Sequence, residues 1–62
     1  MSIHEKIRIY IDKNVLNQSS IAKKAGIPAA AFTEILNGKR TLYSDDLRAI
    51  CYALKVKPEL FM

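Results

Sequence analysis

Residues 17–37 read NQSSIAKKAGIPAAAFTEILN and contain the signals of two short helices separated by a tight turn. Asn17 can cap the first helix because its side-chain oxygen accepts a hydrogen bond from an amide of the first turn. Gly26 ends that helix, since glycine adopts positive φ without penalty. Pro28 opens the second helix, where its missing N–H would have had no partner, and Asn37 ends it. The stretch therefore predicts a helical pair with a tight glycine turn.

The spacing of apolar residues assigns an inner and an outer face to each helix of this pair. At the helical repeat, one stripe collects the apolar side chains and packs on the core. The inward-facing residues are Ile21, Ala22, Ala25, Phe32, Ile35 and Leu36. The exposed face of the second helix holds Ala30, Thr33, Glu34 and Asn37.

A similar pattern precedes the pair. Ser2 and Glu5 match a capping box, which predicts a helix over residues 2–13. Ile9 is the one apolar residue on its polar face. Its core-facing stripe is predicted to hold Ile3, Ile7, Tyr10, Ile11 and Asn14.

The rest of the chain, residues 38–62, is also helical in pattern. Ser44 is predicted to cap a fourth helix, with acidic residues in the first turn, where negative charge complements the helix dipole. Pro58 can open one last short turn, and no stretch shows the alternation of a strand. These patterns predict an all-α fold of five short helices, the last barely one turn. The buried stripe of the fourth helix is predicted to hold Leu47, Ile50, Cys51 and Leu54.

Length and composition limit the kinds of protein this chain can be. Its 62 residues make one domain, 1–62, and half of them are apolar, enough for a small core. Cys51 is the single cysteine and cannot form an internal disulfide, which favours an intracellular protein. No apolar run approaches the ~20 residues of a membrane span, and the first residues lack a signal-peptide pattern. We expect a cytoplasmic location and no membrane association.

The charge balance and the missing motifs indicate a binding protein. Ten Lys and Arg against six Asp and Glu give a net charge of +4, which suits a polyanionic partner. His4 has no second histidine or paired cysteine that could complete a metal site. There is no phosphate-binding glycine loop and no nucleophile elbow. We therefore expect no enzyme activity, no cofactor and no metal.

Two short helices with a tight glycine turn are also the helix-turn-helix arrangement of DNA-binding proteins; an ordinary helical hairpin in a small bundle is the alternative. Residues 16–27 read LNQSSIAKKAGI, residues 35–40 read ILNGKR and residues 58–60 read PEL. In this order they resemble the Cro/phage-repressor (Xre-type) helix-turn-helix family over nearly the whole chain. The resemblance includes the apolar positions Phe32, Leu47, Ile50 and Leu54.

The resemblance implies a lambda-repressor-like DNA-binding domain and a role for individual residues. Gln18 corresponds to a glutamine that bonds the DNA backbone and braces the recognition helix. The implied phosphate-contacting residues are Asn17, Gln18, Asn37, Lys39 and Arg40. Tyr43 either staples the fourth helix or bonds a phosphate. The implied base-contacting residues are Ala29, Ala30, Thr33 and Glu34, with alanine limited to the thymine methyl and Glu34 able to accept from cytosine.

Two functions are in competition at this stage. The first is a sequence-directed regulator of transcription, repressor- or Cro-like and of phage or mobile-element type, with residues 28–37 in the major groove of double-stranded DNA. The second is a helix-turn-helix used for protein–protein binding, as in an antirepressor or a regulator's partner, which the alanine-rich helix favours. Leu60, Phe61 and Met62 either fold back on the core or form a homodimer interface, as is common in the family.

Overall fold

The computed structural model describes all residues, 1–62, and contains helices and turns only. The all-helical prediction is confirmed, but the count of five helices is wrong. The closing segment, Pro58–Leu60, is a 3₁₀ turn, because its bonds run to the third preceding residue, as from the Phe61 amide to the Pro58 carbonyl. The four α-helices are α1 Ile3–Lys13, α2 Gln18–Ala25, α3 Ala29–Leu36 and α4 Ser44–Leu54.

The predicted caps of the first two helices are present. The Glu5 amide donates to Ser2 Oγ at 3.4 Å, and the Ser2 amide donates to Glu5 Oε1 at 3.0 Å, which completes the capping box. At the start of α2 the Ser20 amide donates to Asn17 Oδ1 at 3.0 Å. Gly26 follows α2 with φ of 73°. Local side-chain chemistry therefore sets these helix ends as the sequence predicts.

The predicted cap of α4 is wrong by one residue. Ser44 is the first helical residue, and Tyr43, with extended φ and ψ of −82° and 162°, is the cap. The Tyr43 amide donates to Asp46 Oδ2 at 3.2 Å. The Asp46 carboxylate, in the first turn of α4, accepts the hydrogen bond of the Tyr43 amide and so fixes Tyr43 as the cap. The helix can therefore start at Ser44, whose hydroxyl is not needed as a cap.

The core forms around Phe32 of α3, which is fully buried. Helix α3 packs against α1 and α2, α2 also packs against α4, and the 3₁₀ turn packs on α4. The ring of Phe61 meets the ring of Tyr10 edge-to-face, with centroids 5.6 Å apart, so the end of the chain closes over α1. The buried core residues are Ile7, Ile11, Ile21, Ala22, Phe32, Ile35, Leu36, Ile50, Cys51, Ala53 and Phe61.

Six residues of the predicted core are not among the buried ones. Asn14 is exposed, because α1 ends at Lys13 and the Asn14 side chain caps the helix by donating to the Tyr10 carbonyl at 2.8 Å. The other five are half-buried and pack on the rim of the core: Ile3, Tyr10, Ala25, Leu47 and Leu54. Ala53 takes an inner place on α4. None of the helices is long and apolar enough to cross a membrane.

Candidate nucleic-acid interface

The turn between α2 and α3 is fixed by its own backbone bonds. The Gly26 amide donates to the Lys23 carbonyl at 3.1 Å, and the Ile27 amide donates to the Ala22 carbonyl at 2.9 Å. This pair of bonds is the Schellman motif, which closes a helix on a left-handed residue. Ile27 packs against the core from this turn. The direction in which α3 leaves α2 is therefore determined by Gly26 and Ile27.

Burial of one face of α3 exposes the opposite face. Phe32, Ile35 and Leu36 are all buried, as the sequence predicts. Because these three residues face the core, the other side of the helix faces solvent. The predicted base-contacting residues Ala29, Ala30, Thr33 and Glu34 are all exposed there.

The first turn of α3 carries free backbone donors. Pro28, which the sequence predicted as the first helical residue, is instead the cap, and α3 runs from Ala29 to Leu36. Pro28 forms no side-chain cap hydrogen bond. The first amide that bonds back along the chain is that of Phe32, which donates to the Pro28 carbonyl at 2.9 Å. The amides before it point out of the helix end, where the helix dipole is positive. This end of α3 can accept an anionic group.

At its other end, α3 leads into a short basic loop. Gly38, with φ of 76°, allows the Lys39 amide to turn back and donate to the Glu34 carbonyl at 2.8 Å. Lys39 and Arg40 follow this turn and are exposed. Two cations are thus held next to the end of α3, where positive charge also complements the helix dipole.

The structure brings together two residues to which the sequence assigned separate roles. Arg40 Nε and Nη2 both approach Glu34 Oε1, at 3.3 and 3.1 Å. Both side chains are about half exposed, 55% for Arg40 and 49% for Glu34. Sequence reasoning missed this ion pair, because the two residues lie six positions apart across a helix end. The only signal was their opposite charge.

The remaining predicted phosphate-contacting residues lie at helix ends. Asn17 caps α2 through Oδ1, which leaves its Nδ2 group free to donate. Gln18 is the first residue of α2 and is half-buried. Asn37 is the exposed cap at the end of α3. The side chain of Tyr43, at the start of α4, is 67% exposed.

A shallow groove of about 340 Å³ joins the α2–α3 turn to the basic loop. Arg40 and Tyr43 line it together, so two of the predicted phosphate-contacting residues share one surface. Thr41, which the sequence analysis did not single out, lines the same groove. The full lining is Gly26, Ile27, Pro28, Ala31, Ile35, Arg40, Thr41, Tyr43 and Asp46.

The single thiol belongs to the core. Cys51 is buried, and burial raises its pKa, with the negative charge of Glu59 acting in the same direction. A raised pKa keeps the thiol protonated and poorly nucleophilic at neutral pH. Cys51 therefore acts as a small apolar residue in α4, as the sequence predicts.

Comparison with known families matches residues 6–60 to the Cro/C1-type HTH DNA-binding domain. Neither the search of curated proteins nor that of solved structures finds a match to the chain. The matched region includes all four helices except the first residues of α1, and it contains the two-helix unit with its glycine turn. The chain belongs to the Cro/C1-type helix-turn-helix DNA-binding domain family.

Proposed function

We propose that this protein is a sequence-directed, double-stranded DNA-binding regulator of transcription that inserts α3 into the major groove. In this proposal it is a cytoplasmic, Cro- or repressor-like protein of phage or mobile-element type. The observation that supports it best is the layout of α3. Its outer face is free, its first turn offers unpaired amides, and its last turn leads into Lys39 and Arg40. A helix N-terminus and a pair of cations suit phosphates on the two sides of a groove.

Base contacts come from the outer face of α3 in this proposal. Thr33 offers a hydroxyl that can donate to or accept from a base edge. Ala29 and Ala30 are exposed methyl groups that can contact the methyl group of thymine. Glu34 offers carboxylate oxygens that can accept from the N4 amino group of cytosine. We therefore expect a recognition sequence that contains both thymine and cytosine at the contacted positions.

Phosphate contacts come from the helix ends on both sides of α3. Asn17 Nδ2 and the Gln18 amide group stand at the start of α2, where the positive dipole end adds to their attraction. Their counterparts after α3 are Asn37, Lys39, Arg40 and Tyr43. Such contacts position the protein on the duplex without reading its sequence.

A homodimer through the C-terminal segment completes the proposal. Phe61 is buried in the core of its own chain, but Leu60 and Met62 are 53% and 73% exposed. Two exposed apolar side chains beside a 3₁₀ turn can form the centre of a self-complementary contact, and two-fold DNA sites require two-fold proteins. Sedimentation equilibrium should show a dimer, and Leu60→Glu should shift it to the monomer.

The alternative function, binding to a protein, is supported by the apolar character of α3. Ala29 and Ala30 are exposed and offer no hydrogen bond, so this part of the helix also suits a protein surface. Ala30→Arg separates the two functions. In a helix that binds a protein, this substitution would abolish partner binding by size and charge, and the affinity for DNA would stay unchanged or rise. In a helix that binds DNA, it would disturb the base contacts and lower the affinity for the duplex.

Selection of bound duplexes from a random pool, followed by titration, tests the primary proposal. The wild type should enrich a defined sequence, and Ala30→Arg should lose both the affinity for that duplex and the sequence preference. Ile9→Arg is the matched control, because it adds the same charge on the exposed side of α1. Undiminished affinity and unchanged preference in Ala30→Arg would reject the placement of α3 in the groove.

A further inference from the structure

Glu34 is the only acidic residue of α3, and it lies on the exposed face of this helix. If that face enters the major groove, a carboxylate comes close to the phosphates of both strands. Proteins bind DNA largely by neutralising its phosphates with Lys and Arg side chains. An unpaired carboxylate at this place therefore opposes binding. The need to neutralise this charge rests on the proposed function, because a helix outside the groove would not meet the phosphates.

The Arg40 guanidinium meets this need. Nε and Nη2 of Arg40 both donate to the same oxygen, Glu34 Oε1, at 3.3 and 3.1 Å. The other oxygen, Oε2, accepts no hydrogen bond in the protein. The pair therefore neutralises the carboxylate and still leaves one of its oxygens open to an outside donor.

Arg40 itself also keeps capacity for an outside partner. A guanidinium carries five N–H donors in a rigid plane, and two of them hold Glu34 Oε1. Three donors remain, and the side chain is 55% exposed. Arginine can hold a carboxylate and a phosphate at the same time in this way, which a lysine cannot do with comparable geometry.

We propose that Glu34 and Arg40 act as one DNA-binding unit, in which Arg40 bridges the Glu34 carboxylate and a phosphate. Glu34 Oε2 then faces the base edges while the remaining Arg40 donors bind the phosphate. Arg40 is in this sense a positioning residue for Glu34 as well as a phosphate contact. The opposite arrangement is a competition, in which Arg40 must leave Glu34 before it can reach the DNA.

A double-mutant cycle in DNA binding tests this unit. The proteins are the wild type, Glu34→Gln, Arg40→Gln and the double variant, each titrated by fluorescence anisotropy with the duplex that the wild type enriches from a random pool. A second cycle replaces Arg40→Gln with Lys39→Gln. Lys39 is the matched control, because it is the adjacent exposed cation and forms no ion pair. Circular dichroism verifies that each variant is folded.

In the bridging arrangement Glu34 opposes binding most strongly when Arg40 is absent. In the wild type Glu34→Gln removes a neutralised carboxylate that contacts a base, whereas in the Arg40→Gln variant it removes an unneutralised charge. We expect the ratio of the affinity after Glu34→Gln to the affinity before it to be about fivefold larger in the Arg40→Gln background than in the wild-type background, a coupling typical of residues in direct contact. The Lys39 cycle should show a coupling below about twofold, as for independent positions. Arg40→Gln should weaken binding more than Lys39→Gln does.

Two results would overturn the proposal. Equal, additive effects in both cycles would show that Glu34 and Arg40 act separately on DNA. A coupling of the opposite sign, in which Glu34→Gln helps more when Arg40 is present, would show that Glu34 competes with the phosphate for Arg40. If the wild type enriches and binds no duplex, the proposed function itself fails, which is distinct from a wild type that binds without coupling.

Discussion

The imidazole of His4 lies directly against Gly38: a Cβ atom added to this glycine would fall 2.8 Å from His4 Nε2 and 3.2 Å from Cε1. Ser2 Oγ also lies against this ring, 3.0 Å from Nδ1 and 3.3 Å from Nε2. The first turn of α1 therefore supports the turn that leads from α3 into the basic loop. Glycine suits this position because its φ of 76° is left-handed and because a Cβ atom there would force the His4 ring to shift.

Gly38→Ala should destabilise the protein more than Gly26→Ala does. Both glycines have positive φ, so both substitutions introduce backbone strain of roughly 1–2 kcal/mol. Gly26 has open space around it, whereas Gly38 has the His4 ring. Thermal unfolding should show the larger decrease in Tm for Gly38→Ala, and His4→Ala in the same chain should reduce the difference. Equal decreases for the two glycines would contradict the His4 contact.

Val15→Gly should stabilise the protein. Val15 follows α1 with φ of 54°, a conformation that is unfavourable for a β-branched residue, and its side chain is 89% exposed. Glycine removes strain of about 1 kcal/mol without loss of packing, which corresponds to a rise in Tm of roughly 4–8 °C. Lys55→Gly, at φ of 59°, is the matched variant and should gain less, because lysine is unbranched. A lower Tm for Val15→Gly would show that the turn after α1 does not hold Val15 in a left-handed conformation.

Phe32→Ala should leave the protein largely unfolded. The side chain is fully buried in the centre of the core, and its truncation typically costs roughly 3–5 kcal/mol. A chain of this length has a free energy of unfolding of only about 5 kcal/mol. Tyr52→Ala, on a side chain that is 83% exposed, is the control and should melt nearly as the wild type does. A cooperative transition at the wild-type temperature in Phe32→Ala would place Phe32 outside the core.

The sequence was sufficient to predict most of the fold, because local chemistry sets most of its helix ends. The capping box of Ser2 and Glu5, the Asn17 cap and the turn at Gly26 all occur as predicted. The predicted start of α4 was wrong. Serine is a favoured cap residue, but the Asp46 carboxylate binds the amide of Tyr43, the residue before Ser44. The Ser44 hydroxyl and the Asp46 carboxylate are both signals of a helix start, and the sequence alone does not show which of them sets the cap.

The outer face of α3 was predictable as well, because the buried positions of an amphipathic helix determine which positions are exposed. The relation between Glu34 and Arg40 was not predictable in this way. It depends on the path of the chain through Gly38, which brings residues six positions apart within 3.1 Å. The left-handed conformations of Val15 and Lys55 were also unpredicted, since neither residue type favours them.

Stability should decrease in acid partly because of Glu5. Hydrogen bonds from the backbone amide and then the hydroxyl of Ser2 lower the pKa of Glu5 from its ordinary value of 4.5. A carboxylate whose pKa is lower in the folded state than in the unfolded state stabilises the protein at any pH above its unfolded-state pKa. This stabilisation is lost as the pH falls through its folded-state pKa. Melting curves from about pH 6 to about pH 2 should show a smaller decrease in Tm for Glu5→Gln than for the wild type. An identical pH dependence would mean that the capping box does not hold the Glu5 carboxylate in solution.

The salt dependence of DNA binding tests the central claim most directly, namely that the chain binds duplex DNA through phosphate contacts made by Lys39 and Arg40. The logarithm of the binding constant should fall linearly with the logarithm of the salt concentration, by about 0.9 for each phosphate neutralised. Replacing both residues by alanine should weaken binding to every duplex and make this slope shallower by about 1.8, twice the value for one phosphate. Weaker binding with an unchanged slope, or affinity that does not depend on salt, would contradict this claim.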